Sequence, residues 1–213
     1  SGAMEHTLFI ANLIEFFNER PRMTGAASTD SLPYRGEIEL KNVSFTYPDS
    51  MEPALRDVSI HIRPGETVAV VGENGAGKTT LVKLLARLYD PDTGSIEFDG
   101  IDVKTLLPSD LHKHIGFVLQ DFGHYEASAA DNIAYGDWQR LVGDRQKVEE
   151  TARLAGVDEM MRSMPKGYDT ALGRLFGEHE LSKGQWQRLA IARAFARDAS
   201  VLILDEPAAS LSV

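Results

Sequence analysis

Residues Gly72-Glu73-Asn74-Gly75-Ala76-Gly77-Lys78-Thr79 satisfy the pattern G-x-x-x-x-G-K-[ST]. Glycines at this spacing let backbone N–H groups close around a phosphate, where a Cβ would stand in the way. Lys78 brings a point charge for the β- and γ-phosphates of a nucleotide, and the Thr79 hydroxyl is a ligand for Mg²⁺. A second chemical pair, Asp205-Glu206, directly follows the apolar run 201–204 (VLIL). Acids at the C-terminal end of a buried strand stand where open α/β sheets bind their ligands. Taken alone the pair reads as two solvated acids. With a phosphate loop upstream, Asp205 is expected to hold Mg²⁺ through a water, and Glu206 to polarise the water that attacks the γ-phosphate. General-base help of that kind contributes about 10²–10⁴ in rate.

The elements that must position these residues follow from periodicity. The continuous apolar run 67–71 (TVAVV) reads as a strand buried on both faces of a parallel sheet, and a helical pattern covers 78–89. Strand, glycine loop and helix in that order are what a phosphate-binding loop requires. Alternation of apolar and polar residues predicts strands over 37–47 and 56–62, with further β segments at 95–103 and 115–120. From Asp121 to about Leu181 the pattern turns helical, clearest at 145–156 and 157–164. A strong helix covers 183–197, and 201–204 is the last buried strand. At the other end, residues 5–20 have apolar positions near a 3.6 period (Leu8, Phe9, Leu13, Phe16, Phe17), and 21–33 read as a linker.

Bulk properties exclude several classes. The 213 residues carry a net charge of −10 and are 43% hydrophobic and 25% charged, so a general nucleic-acid binder, which needs a basic face, is not expected. Cysteine is absent, which removes disulfides and thiolate metal sites. The longest membrane candidate, residues 8–17 (LFIANLIEFF), is about half the roughly 20 apolar residues a spanning helix needs. Neither a basic n-region nor a cleavage site marks a signal peptide. Ser1-Gly2-Ala3-Met4 have the look of a cloning scar, so the sequence reads as a fragment.

Leu181-Ser182-Lys183-Gly184-Gln185 opens the 183–197 helix, and there the sequence resembles the ABC ATPase family, whose signature reads LSGGQ. Tyr47, in Phe45-Thr46-Tyr47-Pro48, matches the aromatic A-loop. Residues 72–79 match Walker A, Gln120 the Q-loop, and 201–206 Walker B with its catalytic glutamate. The match runs from about residue 32 to the C-terminus. Gln185-Trp186-Gln187-Arg188, Asn132-Ile133 and Gly167-Tyr168-Asp169-Thr170 look most like the exporter branch.

The resemblance implies an α/β fold of the P-loop NTPase class, ABC type. Its parts are a RecA-like parallel-sheet core, an antiparallel β subdomain and an α-helical insert over about 121–182. Residues 35–213 then form the ATPase domain, with residues 1–34 as scar, tail of a last transmembrane helix or elbow, and linker. ATP and Mg²⁺ are the implied cofactors, with Gly72, Glu73, Asn74, Gly75, Ala76, Gly77, Lys78, Thr79 and Thr80 around the phosphates. The Tyr47 ring would stack on adenine for about 1–3 kcal/mol. Thr79, Gln120 and Asp205 are the implied metal residues, and Glu206, Gln120 and Lys78 the catalytic ones.

The implied partners are a second ABC ATPase domain, in a head-to-tail homo- or heterodimer, and a transmembrane domain with coupling helices. Ser182, Gly184 and Gln185 would grip the γ-phosphate of the partner's ATP at the helix start. Residues 172–180 occupy the place of the exporter loop that touches the coupling helices. The implied location is the cytoplasmic face of a bacterial inner membrane, the fragment itself being soluble.

Lys183 replaces the first glycine of the signature pair, Ser212 stands where the family's D-loop ends in Asp, and all six histidines precede Asp205. The chain as given, ending before the family's switch histidine, is therefore expected to bind ATP and hydrolyse it poorly. An ATP-binding regulatory half of a heterodimer is the alternative. A GTPase reading fails for want of an N-K-x-D motif.

Overall fold

The computed structural model describes Ile10, Leu13, Ile14, Phe17, Gly25 and residues 34–174 and 177–205. Two sheets are present among them. The first is antiparallel in the order β2-β1-β3-β4, built from β1 (Ile38–Phe45), β2 (Leu55–Ile62), β3 (Thr93–Phe98) and β4 (Ile101–Asp102). Ile38, Leu40, Val43 and Phe45 of β1 face the core, as expected for a strand with one buried face. The register slips between Leu40 and Val43, where Asn42 takes a left-handed φ of 51°. Its amide N–H donates to Ser59 Oγ, and its Nδ2 to Asp57 Oδ1. The predicted segment 95–103 divides into β3 and β4 at Asp99-Gly100, both at positive φ, a two-residue turn that the sheet's twist favours.

The second sheet pairs β5 (Ile115–Val118) with β6 (Val201–Leu204) in parallel, Ile115 opposite Val201 and Val118 opposite Leu204. Among the described residues from 34 onward, seven α-helices accompany the strands: α1 (Lys78–Leu85), α2 (Pro108–Leu111), α3 (Ala129–Ala134), α4 (Trp138–Leu141), α5 (Arg145–Leu154), α6 (Asp158–Arg162) and α7 (Lys183–Ala196). One core gathers the inner face of the antiparallel sheet with Leu81 and Leu84 of α1, Leu111, Ile115 and Ile203. The other lies within the helical insert, where Ile133, Leu141, Val148, Met161 and Leu172 pack against Trp186 and Leu189 of α7. Opposite that face, Ala190 and Ala194 of α7 pack on Val118. Contact there is close enough that a Cβ at Gly116 would come within 2.8 Å of the Ala194 carbonyl oxygen.

The strand expected at 67–71 is not formed. Those residues have no regular structure, and Val68, Val70 and Val71 are 43%, 50% and 89% exposed. A parallel strand buried on both faces needs hydrogen-bonding neighbours and covering layers. Among the described residues the parallel sheet holds β5 and β6 alone, and Leu202 of β6 is itself 41% exposed. Both segments thus leave apolar surface that further pairing would cover. The expected N-terminal helix is represented by Ile10, Leu13, Ile14 and Phe17, which are helical and all exposed. No helix among the described residues is long and apolar enough to cross a membrane. Leu175 and Phe176 of the 172–180 segment lie outside the described residues.

Arg87 ties the end of α1 to the chain between Asp90 and Leu106. It is 1% exposed, and its guanidinium donates to Asp90 Oδ1 at 3.1 Å, to the Lys104 carbonyl at 3.0 Å, and to the Leu106 carbonyl. A buried charge is tolerable only when satisfied in this way. Arg87→Ala should destabilise the fold by about 3–5 kcal/mol, since it opens a cavity and strands two carbonyls. Urea unfolding would show this as a lower midpoint at unchanged slope.

Candidate functional site

The glycine loop is exposed and built for close approach. Gly75 and Gly77 sit at φ 82° and 87°, a region that side chains other than glycine's rarely enter. At Gly77 space is also short, for a Cβ would meet the Ala54 carbonyl oxygen at 2.7 Å. Gly77 is the N-cap of α1 and offers no side-chain cap. The first N–H groups of this helix therefore point into the loop without a capping partner, the arrangement that binds anions. Lys78 folds back over the loop and donates from Nζ to the carbonyls of Gly72 and Glu73, each at 2.8 Å.

The loop meets the last strand through Thr79, whose hydroxyl donates to Asp205 Oδ1 at 3.4 Å across 126 residues of sequence. Asp205 is 5% exposed and its second oxygen, Oδ2, is buried without a hydrogen-bond partner. An orphaned carboxylate oxygen beside a threonine hydroxyl fits a hard divalent cation, which takes oxygen donors of this kind. No group of three or more acidic, His or Cys ligands exists among the described residues. A cation here would keep water and phosphate oxygens as its remaining ligands, which is the habit of Mg²⁺. Glu206 lies outside the described residues.

Gln120 lies two residues beyond β5, and the Asp205 N–H donates to the Val118 carbonyl at 2.9 Å. The parallel register thus sets Gln120 and Asp205 at the same sheet edge. Tyr47 is half-buried, its ring edge-on to Phe45 and Tyr89. Its hydroxyl lies 3.2 Å from Thr80 Oγ1, and Lys83 Nζ sits 5.4 Å from the ring centroid. Thr80, buried in the first turn of α1 directly after Thr79, therefore holds Tyr47.

Ser182, Gly184 and Gln185 form the start of α7. Ser182 Oγ accepts from the Gln185 N–H at 3.3 Å, while Gln185 Oε1 accepts from the Ser182 N–H at 2.8 Å. The pair is a capping box. Its S-x-x-Q spacing is a signal present in the sequence that the family resemblance of the same residues masks. Lys183 is exposed and directs no hydrogen bond at the helix start among the described residues. No hydrogen bond or ion pair among those residues joins 182–185 to 72–80, so one copy of the chain gathers Tyr47, the loop, Gln120 and Asp205, and leaves the signature apart.

The segment after Gln120 makes contacts with α7 that sequence reasoning misses. Phe122, Gly123, His124 and Tyr125 lie along α7, with Arg193 Nη2 donating to the Gly123 carbonyl at 2.8 Å and its guanidinium 4.5 Å from the Tyr125 ring. Burial holds Arg193 below the usual arginine pKa. Nothing in the spacing of these residues signals the contact.

Comparison with known proteins places this geometry. The sequence model described as "ABC transporter" matches residues 55–209. An Arabidopsis thaliana protein named ABC transporter B family member 29, chloroplastic, is 48% identical over 176 residues, which is 83% of this chain and 27% of that protein. The ATP-dependent lipid A-core flippase of Vibrio cholerae is 44% identical over 83% of this chain and 30% of its own length. The solved structure of a bacterial Atm1-family ABC exporter with ATP bound superimposes with a TM-score of 0.84 at 31% identity, covering 99% of this chain and 36% of the other. The chain thus spans about three-tenths of the length of the curated relatives it matches. With the family match covering most of its length, this chain belongs to the ABC transporter family, of which it carries the ATP-binding domain.

Proposed function

We propose that the chain hydrolyses MgATP as one half of a head-to-tail pair and thereby drives export through a membrane domain. The convergence of Thr79 and the half-satisfied Asp205 carboxylate beside Lys78 carries this reading. On ATP binding, Lys78 exchanges the Gly72 and Glu73 carbonyls for phosphate oxygens, a trade that costs little because both carbonyls are exposed. The uncapped start of α1 receives the β-phosphate. Tyr47, braced by Thr80, offers its ring to adenine. Thr79 and Asp205 would hold Mg²⁺, with Gln120 at the same edge, and the cation would supply positive charge to the phosphates. Glu206 polarises the attacking water.

Ser182 belongs to the partner's site in this scheme, because its own chain keeps it away from the loop. To face a γ-phosphate, its hydroxyl turns out of the capping box while the α7 N–H groups stay in place. The exposure of Lys183 leaves that helix start open. We place the ATPase unit at residues 35–213 and its helical insert at about 121–182, a division supported by the separate cores on either side. Relatives named as exporters and flippases support a membrane-domain partner and a position at the cytoplasmic membrane face.

Lys78→Ala should weaken ATP binding about 10–100-fold, the equivalent of one lost charge-assisted bond of about 1.5–3 kcal/mol. Its melting temperature should stay near that of the parent, since Nζ bonds only to the loop; calorimetric titration and a thermal scan measure both. ATP turnover per chain should rise with protein concentration, and Glu206→Gln should abolish it while leaving ATP binding intact. Turnover per chain that is flat with concentration contradicts the paired arrangement.

A further inference from the structure

Residues 121–126 have no regular secondary structure and follow Gln120 directly, yet a single stripe of α7 fastens them. The stripe is Trp186, Ala190 and Arg193, spaced so that they share one helix face. The His124 ring lies on the Trp186 ring with centroids 4.6 Å apart and planes within 9°. One residue before it, the Gly123 carbonyl accepts from Arg193, and one residue after it Tyr125 stacks on the same guanidinium. Phe122 packs against both the helical core and the small cluster between α7 and the parallel strands. At its far end, Asn132 Nδ2 donates to the Tyr125 carbonyl at 2.9 Å. The segment is therefore fastened to α7 and the helical insert, with Phe122 also packed at Val118 of β5.

The stack occupies a particular place along the chain. His124 is four residues after Gln120, and Trp186 is four residues after Ser182. Trp186 is 4% exposed and belongs to the helical core, so it is a fixed platform, while the histidine is exposed on its outer side. We propose that His124 is a positioning residue: stacked on Trp186, it clamps the Gln120 segment to α7, so that Gln120 and Ser182 move as one body. Gln120 and Ser182 serve opposite ATP sites, so such a clamp transmits the state of one site to the other. The inference rests on the ATPase reading above.

Two charged groups act on His124, Arg193 from α7 and Asp121 from its own segment. Burial and the Arg193 charge lower its pKa below 6.5, and Asp121 opposes them only in part. At neutral pH the ring is uncharged and seated. As pH falls through the lowered value, protonation places a second cation beside Arg193 while the ring stays on the indole face, which attracts a cation.

The sequence holds two tryptophans, Trp138 and Trp186, so a Trp138→Phe background isolates the platform. In it, Trp186 emission followed from neutral to acidic pH should fall in one step with a midpoint below 6.5, because a protonated imidazole in contact quenches indole. His124→Leu should remove the step. Turnover assayed on the same proteins should drop several-fold in kcat for His124→Ala, with KM for ATP and the melting temperature little changed, and His124→Phe should restore it. A parent that turns over ATP while His124→Ala matches its kcat overturns the clamp, as does an emission step that survives His124→Leu. A parent that neither binds nor turns over MgATP overturns the ATPase reading instead, and the emission step then still reports whether the stack exists.

Discussion

The contact between Thr79 and Asp205 is the constraint on which the rest depends. It joins two segments 126 residues apart. The phosphate loop can cradle an anion by itself, because glycines and a helix start suffice for that. A metal needs the carboxylate, and the carboxylate needs the end of β6. One core fixes both: Leu81 and Leu84 on the buried side of α1 share it with Ile115 and Ile203 of the parallel strands. The antiparallel sheet closes over the same core and brings Tyr47 to Thr80, one residue past Thr79. Tyr47, the glycine loop and Asp205, the proposed adenine platform, phosphate cradle and metal ligand, are thus positioned by a single packing arrangement.

Helix α7 has a different task, for it serves two bodies at once. Trp186, Leu189, Ala192 and Ala196 belong to the helical core, while Ala190 and Ala194 lie against β5. Small residues on the β5 side permit the close approach seen at Gly116. Trp186 and Leu189 on the other side fill the insert. The helix start carries Ser182, so any shift of the insert relative to the parallel strands displaces the signature. The Gln120 segment bridges the two bodies and is fastened to this same helix.

Much of this is legible in the sequence, because the decisive features are local. A glycine loop opening a helix, alternation in β1 and β2, and the apolar run ending in Asp205 are patterns of a few residues, and each forms where expected. The features that escape such reading depend on neighbours distant in sequence. Residues 67–71 have the composition of a buried strand, but composition cannot supply pairing strands, and their valines stay exposed. Arg87 looks like any charged residue of a helix end, yet its partners at 104 and 106 make it the largest fully buried side chain among the described residues. The His124 stack on Trp186 joins residues whose spacing announces nothing. Ser182 matches a family motif that grips a partner's nucleotide, whereas its partner within the chain is Gln185, three residues on.

The most direct test of the central claim is calorimetric titration of ATP into the chain and into Asp205→Ala, each with Mg²⁺ and with the metal chelated. If Thr79 and Asp205 form the metal side of the site, Mg²⁺ tightens binding to the parent, and Asp205→Ala loses that gain while keeping the parent's metal-free affinity. An Asp205→Ala protein that retains the whole metal-dependent gain would contradict the account, and would place the cation elsewhere on the loop.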